Sequence, residues 1–301
     1  MSVLSTAYDG LAPLHRPIMV LALRGFFDIA EVATDAIDTL TDERIAPVVA
    51  AIDPDPFFDF TQERPNVMID DADVRQVVWP ENEFRVVRFP GHAHDLVVLA
   101  GVEPHLRYAT FADAVISVAR ELKCEMVVTL GAAPEAIPHS RPPMVVGSST
   151  NDGLVSALGL SRPQYQGITG LVGVLQQRLD AAAIPAVSLR VGVPHYLGNA
   201  KHPQASGALL RHLEHVLGVP TGHGRLAEGS LELGVVEEAQ SPFGAAARPT
   251  SQIVERDARV PRDEEPGPRH PENRLHGVRQ PLVVPDDAQG EHRAPIVSAH
   301  R

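Results

Sequence analysis

The chain has 301 residues, 44% of them hydrophobic, which is enough for a substantial core in one large domain or two ordinary ones. Its formal charge of −12 disfavours nonspecific binding to nucleic acid or to an anionic membrane, because both select basic surfaces. A single cysteine, Cys124, excludes an internal disulfide framework and a zinc site built from several thiolates. No apolar run is long enough to span a membrane, and the first residues lack the features of a secretory signal. The sequence therefore predicts a soluble, cytoplasmic, acidic protein.

The composition changes near residue 241. Residues 241–301 contain nine prolines, nine arginines and nine acidic residues, so this stretch is formally neutral and the net charge falls on residues 1–240. Such a composition buries too little apolar surface to offset the loss of chain entropy. We therefore expect a single domain over residues 1–240, followed by a disordered Pro/Arg-rich tail over 241–301.

The first elements predict a strand–helix–strand unit, the unit from which parallel sheets are built. Pro17–Leu23 is a short apolar run, and the apolar spacing of Ile29–Leu40 predicts a helix. Asp28 suits the N-cap of this helix, with Glu31 completing a capping box. The buried strand that follows is expected at Ile45–Ile52.

The middle of the chain has a different pattern. Short segments at Val67–Ile69, Val74–Trp79 and Phe84–Phe89 alternate apolar and polar residues between turns that contain Asp or Pro. Alternation of this kind predicts an antiparallel meander or an edge region of the sheet.

The alternation of strands and helices then resumes. The next helix is expected to begin at Thr110, with Asp113 at its third position. The remaining predicted elements are strands at Asp95–Ala100, Met126–Leu130, Met144–Val146 and Ala186–Val193, and helices at about Gly170–Ala183 and at Pro203–Leu217, the last closed by Gly218. Together these elements predict a three-layer α/β/α domain with a mixed, mainly parallel sheet.

Polar side chains follow four of the predicted strands. In open α/β sheets, ligands bind beyond the carboxyl ends of the strands. If the strands are parallel, Asp28, Glu103, His139, Arg141 and His195 share one edge, where a carboxylate could act as general base and the arginine could hold an anion. The alternative is structural: Asp28 caps its helix, Glu103 fixes its loop and the histidines fill polar corners. No spacing among the five is diagnostic of a catalytic set.

No recognisable cofactor motif is present. The chain has only two lysines, Lys123 and Lys201, and lacks the phosphate-binding loop, the dinucleotide-binding glycine motif and the serine elbow of α/β-hydrolases. His92 and His94 alone are a weak metal motif, and Cys124 is expected to be an inert, half-buried thiol. We therefore predict neither a cofactor nor a metal site.

Three glycines, Gly167, Gly170 and Gly173, surround the entry to the predicted helix at about Gly170–Ala183. Glycines lower helix stability but permit a close approach of the backbone to another group. That group could be another part of this chain, a ligand or a second protomer.

The order of several short motifs resembles the proteasome assembly chaperone 2 family, in its actinobacterial branch. The resemblance extends from about Pro17 to Gly218, and it depends on Ile52-Asp53-Pro54, Phe57-Phe58-Asp59-Phe60, Arg64-Pro65, Val78-Trp79-Pro80, Gly101-Val102-Glu103-Pro104, Pro138-His139-Ser140-Arg141-Pro142, Gly170-Leu171-Val172-Gly173-Val174-Leu175 and Val193-Pro194-His195-Tyr196-Leu197.

The resemblance implies an α/β/α fold similar to nucleoside phosphorylases and hydrolases, and homo-oligomers, with a trimer as one form. It also implies binding to protein subunits related to the proteasome, and it supplies no catalytic residues. Two hypotheses follow: a chaperone-like protein-binding module, which we favour, or a nucleoside- or glycosyl-cleaving hydrolase or phosphorylase-like enzyme acting at the strand ends. Fold analogy alone supports the enzyme hypothesis weakly.

Overall fold

Eight of the ten strands form one sheet in a computed structural model that describes residues 3–69, 73–197 and 200–227. In chain order, the strands are Leu4–Thr6 (β1), Ile18–Arg24 (β2), Val48–Ile52 (β3), Asn66–Ile69 (β4), Arg75–Val78 (β5), Asn82–Val87 (β6), Leu96–Val102 (β7), Met126–Glu135 (β8), Val145–Ser148 (β9) and Ala186–Pro194 (β10). The helices are Val32–Thr41 (α1), Tyr108–Glu121 (α2), Asp152–Leu158 (α3), Leu171–Ala181 (α4), Pro203–Leu217 (α5) and Gly224–Ala227 (α6).

The strand order of the main sheet is β1-β3-β6-β7-β2-β8-β10-β9. The central strands β7, β2, β8 and β10 pair in parallel, and the outer pairings are antiparallel. Following these pairings across the sheet, β3 also runs in the direction of the central strands, whereas β1, β6 and β9 run the opposite way. This arrangement confirms the predicted α/β class and the mixed sheet; of the predicted mainly parallel pairing, the three parallel pairings lie at the centre, and the four outer pairings are antiparallel. The likeness to nucleoside phosphorylases stays a prediction.

Helices cover both faces of the sheet. Along β2, Ile18, Val20 and Ala22 face the core under α1 and α5, while Met19 and Leu21 face the core under α2 and α4. Because successive side chains of a strand point to opposite faces, a strand buried on both faces has a continuous apolar sequence. The apolar run of β2 therefore corresponds to the middle layer of a three-layer domain, as predicted.

Helix α5 was predicted correctly at both ends. Pro203 occupies its first turn, where a missing backbone N–H costs nothing, and Gly218 ends it in the left-handed conformation with φ of 65°.

The predicted starts of two helices are wrong. A short 3₁₀ turn, Ile29–Glu31, precedes α1, so Asp28 and Glu31 do not form a capping box. Helix α2 begins at Tyr108 rather than near Thr110, and Asp113 binds Arg178 of α4 instead of capping its own helix. At α2, a contact with the distant helix α4 engages the side chain that the local pattern assigned to a cap. The strand predicted at Ile45–Ile52 also begins later than expected. Strand β3 starts at Val48, and Ile45 before it is 92% exposed.

The middle segments do not form one meander. Strand β6 enters the main sheet between β3 and β7, whereas β4 and β5 form a separate two-stranded sheet among the described residues. We call this separate two-stranded unit the hairpin. It is anchored at its base, where the Trp79 ring contacts that of Phe60 at 4.9 Å between centroids.

None of the helices in the described residues is both long and apolar enough to cross a membrane. The predicted tail, 241–301, lies outside the described residues.

Candidate functional site

The candidate site is the edge of the main sheet where β2, β3, β7, β8 and β10 end. We call it the carboxyl edge, because these five strands run in the same direction. Asp28 follows β2, Glu103 follows β7, His139 and Arg141 lie between β8 and β9, and His195 follows β10. The topology therefore places all five predicted residues on loops at this edge, although the contacts below divide them into separate groups.

Glu103 joins three elements of the fold through its carboxylate. One oxygen accepts a hydrogen bond from the Phe26 N–H at 2.7 Å, and the other accepts one from the Leu171 N–H at 2.6 Å. Its backbone N–H donates to the Arg24 carbonyl at 2.9 Å. Glu103 thus ties the ends of β2 and β7 to the first turn of α4. Both oxygens are engaged by backbone amides, which gives this carboxylate a structural role.

Two glycines make this arrangement possible. A Cβ atom added at Gly25 would lie 2.6 Å from the Glu103 carboxylate, and one at Gly170 would also collide with that carboxylate. The backbone of both loops can approach Glu103 closely only because neither residue has a side chain. The group that Gly170 approaches is therefore part of this chain.

Asp28 is buried, with 4% of its surface exposed, and its carboxylate satisfies the first turn of α1. It accepts hydrogen bonds from the Ala33 N–H at 2.6 Å, the Thr34 N–H at 3.1 Å and the Thr34 hydroxyl at 2.7 Å. Burial raises the pKa of Asp28, and these hydrogen bonds partly oppose that increase. Asp28 therefore caps α1. Its partners lie five and six residues further along the chain, whereas a capping box would span three residues.

His139 and His195 meet at one tyrosine. The Tyr196 hydroxyl lies 2.7 Å from the His139 N–H and 3.0 Å from His139 Nδ1, and the His195 ring packs edge-on against the Tyr196 ring. His195 Nδ1 also lies 3.3 Å from the Glu135 carbonyl oxygen. Sequence analysis assigned no role to Tyr196, because its contact with His139 spans 57 residues of chain.

A small cleft of about 40 Å³ lies beside this group. Its polar lining includes His139, Arg141, Lys201 and His202, and we call this cleft the basic cleft. Lys201 also binds the Asp35 carboxylate at 3.0 Å, whereas Arg141 forms no ion pair with any residue in the described part of the chain. Neither Lys201 nor His202 was predicted as a site residue.

The five predicted residues therefore do not surround one pocket. Asp28 and Glu103 hold backbone amides, and only His139 and Arg141 line the basic cleft. A wider groove of about 470 Å³ lies between β1 and the base of the hairpin, and none of the five lines it. Ligand pockets usually have volumes of about 300–1,000 Å³, so the basic cleft is too small for a nucleoside.

Apolar side chains lie exposed around Glu103 at the same edge. Phe26 is 61% exposed and Ile168 is 81% exposed, in the two loops that Glu103 joins. Leu106 and Tyr165 are also exposed, and the Tyr165 hydroxyl donates to the Ile168 carbonyl at 2.9 Å. We call these four residues the edge patch. Sequence analysis missed it, because the four residues come from three separate segments of the chain.

Cys124 is partly buried, as expected. Burial raises the pKa of its thiol to about 12, so little thiolate forms at neutral pH and the group is a poor nucleophile.

Two solved structures are similar to this chain in both fold and sequence. A PAC2 family protein from Streptomyces avermitilis is 38% identical with a TM-score of 0.68, covering 70% of this chain and 90% of its own. A Mycobacterium tuberculosis proteasome-assembly chaperone homologue is 35% identical with a TM-score of 0.64, covering 70% and 89%. The Pyrococcus furiosus PbaB, an archaeal proteasome activator, is 19% identical with a TM-score of 0.59, covers 76% and 94%, and shows the fold alone.

A search of curated proteins returned no match. The model of the PAC2 family matches residues 22–240, which include the whole main sheet except β1 and the first residues of β2. The resemblance noted in the sequence is thereby confirmed: the chain belongs to the PAC2 family.

Proposed function

We propose that this chain is a protein-binding module that assists proteasome assembly and contacts its partner subunit through the edge patch. The observation that carries the proposal is the exposure of Phe26, Leu106, Tyr165 and Ile168 around a carboxylate already engaged by backbone amides. Large apolar side chains that are exposed together on neighbouring loops are a feature of interaction surfaces. Two relatives are described as a proteasome-assembly chaperone homologue and a proteasome activator, which supports proteasome subunits as the partner class.

The rigid support of the patch favours binding. Glu103 fixes the loops of Phe26 and Ile168 relative to each other, and Phe26 packs edge-on against Phe27 with 5.1 Å between ring centroids. A surface that is ordered before binding loses less conformational entropy when the complex forms.

We also propose that the protein is cytoplasmic and works as a homo-oligomer, with a trimer as one form.

The enzyme hypothesis has less support from the geometry. Asp28 and Glu103, its two candidate carboxylates, each hold backbone N–H groups in the described structure. A general base must reach the proton that it abstracts, and neither carboxylate lines the cleft that contains His139 and Arg141.

The first prediction tests the edge patch with the double substitution Phe26→Asp and Ile168→Asp. We expect affinity for purified actinobacterial proteasome subunits to fall about 30-fold or more, because buried aromatic and aliphatic anchors dominate interface energies. Biolayer interferometry with the full chain measures the affinity.

Ile45→Asp is the matched control, because Ile45 is as exposed as the patch but lies before β3, at the opposite edge of the sheet. It should bind like the wild type. Equal affinities for all three proteins, or equal losses in both variants, would reject the edge patch as the docking surface.

We also propose that residues 1–240 fold without the tail. The family model ends at residue 240, where the composition changes. Deleting residues 241–301 is expected to leave the melting temperature unchanged in differential scanning calorimetry, since such a composition offers little apolar surface to bury. A decrease of several degrees would show that the tail stabilises the domain.

A further inference from the structure

The groove between β1 and the base of the hairpin is a second candidate site. Its volume of about 470 Å³ lies within the range that is usual for ligand pockets. Residues 4–5, 51–54 and 79–83 line it, so its walls come from β1, from the end of β3 and from the start of β6. We call it the Trp79 groove. None of its lining residues belongs to the edge patch or to the basic cleft.

Asn82 lines this groove, and its side-chain amide is only half satisfied. The amide oxygen accepts a hydrogen bond from the Val102 N–H at 3.0 Å, which fixes the orientation of the side chain. Asn82 is 1% exposed, and its Nδ2 has no acceptor among the described residues. Buried polar groups in native structures are nearly always paired with protein, water or a ligand. An acceptor that enters the groove from outside would satisfy this donor.

Trp79 contributes a second donor and an aromatic surface. Its side chain is 45% exposed, and its ring packs against that of Phe60 with 4.9 Å between centroids. The indole N–H can donate a hydrogen bond but cannot accept one, and no described residue accepts a bond from it. Pro54 and Pro80 also line the groove. The Trp79 groove therefore combines apolar rings with two donors that have no acceptor on the described chain.

The charged residues of the lining are all acidic, namely Asp53, Glu81 and Glu83. Arg85 pairs with Glu83 at 2.5 Å, and the other two carboxylates form no ion pair within the described part of the chain. The charges just outside the lining are mixed, with Asp55 after β3 and with Arg64 and Arg75 on either side of β4. A single basic side chain that entered the groove would therefore meet two unpaired carboxylates.

These features together define the chemistry of a ligand. Two donors without acceptors require carbonyl groups, the exposed indole favours an apolar ring or a cation, and the carboxylates favour a basic side chain. A proline-rich segment supplies all three when it carries an arginine. Proline has no N–H to leave unpaired, and the polyproline II conformation makes no internal hydrogen bonds, so its carbonyl groups are available to donors. Such segments bind grooves that are lined by aromatic side chains.

We propose that the Trp79 groove binds a proline-rich segment of a partner protein. Carbonyl groups of the segment accept hydrogen bonds from Asn82 and Trp79, and an adjacent arginine faces Asp53 and Glu81. The proposal goes beyond the proposed function and does not depend on it, because the groove and the edge patch share no residue.

The fluorescence of Trp79 tests the proposal directly, because it is the only tryptophan in the sequence. The full chain is titrated with a blocked peptide of three Pro-Pro-Arg repeats at about 150 mM salt, where long-range attraction between exposed charges is screened. One matched peptide has citrulline in place of arginine, and another has alanine in place of proline. We expect a saturable change with the first peptide, and binding about 10-fold weaker or more for the other two.

Three variants of the full chain test the named contacts by isothermal titration calorimetry. Trp79→Phe keeps an aromatic ring but removes the N–H, and Asn82→Asp keeps an acceptor for Val102 while replacing the free donor with an oxygen. The third variant combines Asp53→Asn with Glu81→Gln. Each should bind the Pro-Pro-Arg peptide about 10-fold more weakly or less. The third should bind the citrulline peptide like the wild type, because that peptide has no charge to lose.

The sign of the Asn82→Asp effect separates hydrogen bonding from simple attraction. This substitution adds a negative charge, so a groove that held the peptide by charge alone would bind it more tightly. Weaker binding supports donation from Asn82 to a carbonyl group, and tighter binding would contradict it. Trp79→Phe changes a half-exposed residue and keeps the test valid if Asn82→Asp does not fold, which circular dichroism melts determine.

The matched control combines Glu121→Gln with Asp180→Asn, which removes two exposed carboxylates from α2 and α4, and it should bind like the wild type. The proposal is wrong if Trp79 fluorescence shows no saturable change, if the three peptides bind equally, or if Trp79→Phe binds like the wild type. The edge-patch variant, with Phe26→Asp and Ile168→Asp, should keep its affinity for the peptide. A failure of this groove can thus be told apart from a failure of the proposed function.

Discussion

Replacing Glu103 with glutamine is expected to lower the free energy of unfolding by about 2 kcal/mol. Both carboxylate oxygens accept backbone N–H groups, from Phe26 and from Leu171. A glutamine retains one oxygen and turns its NH₂ group towards the other donor, so one N–H is always left without an acceptor. For a domain of this size the loss corresponds to a decrease in melting temperature of roughly 4–8 °C, measurable by calorimetry.

The control for this substitution is Glu121→Gln on the exposed side of α2, where the carboxylate accepts a 3.3 Å hydrogen bond from the Ser117 hydroxyl. Its effect should stay within about 0.5 kcal/mol. If the two variants were equally stable, Glu103 would not tie β2, β7 and α4 together, and a chemical role for its carboxylate would have to be considered again.

Replacing Asp28 with alanine is expected to cost about 3 kcal/mol in the free energy of unfolding, because two buried backbone donors and a hydroxyl lose their acceptor together. Asp28→Asn retains one acceptor oxygen and should cost less than Asp28→Ala. Urea denaturation of both variants beside the wild type measures the difference. The opposite order, or a neutral Asp28→Ala, would contradict the role of Asp28 as the cap of α1.

The contribution of Asp28 to the free energy of unfolding is expected to decrease as the pH rises. Burial raises the pKa of Asp28 above its usual value, so the folded protein binds the proton more tightly than the unfolded chain. The stability that results is present in acid and is lost as the pH rises through the raised pKa. The difference in stability between the wild type and Asp28→Asn should therefore narrow between acidic and neutral pH. A difference that widens over this range would contradict the raised pKa.

Much of the fold follows from local sequence. The apolar run of β2, the Pro203 and Gly218 that bound α5, and the alternation of strands and helices were sufficient to predict the elements and the layers. The start of α1 was not predictable in the same way. Its cap depends on Asp28 reaching forward across a 3₁₀ turn, a conformation that no short sequence motif specifies.

The candidate site was predictable in location only. Parallel strands place their carboxyl ends together, and the loops of Asp28, Glu103 and His195 do lie at one edge. The roles of these residues depend on partners such as Tyr196 and Leu171, which are brought to them by the folding of distant segments. Likewise, the alternating pattern of β4 and β5 predicts strands but cannot show that they leave the main sheet.

The carboxylate of Glu103 also has a consequence for local opening of the domain. It is bonded to amides 77 residues earlier and 68 residues later in the chain. Withdrawal of this one side chain would release the Phe26 and Leu171 amides in the same event, although they belong to separate segments. The two loops would then behave as a single unit in amide hydrogen exchange, with a shared rate set by the motion of Glu103.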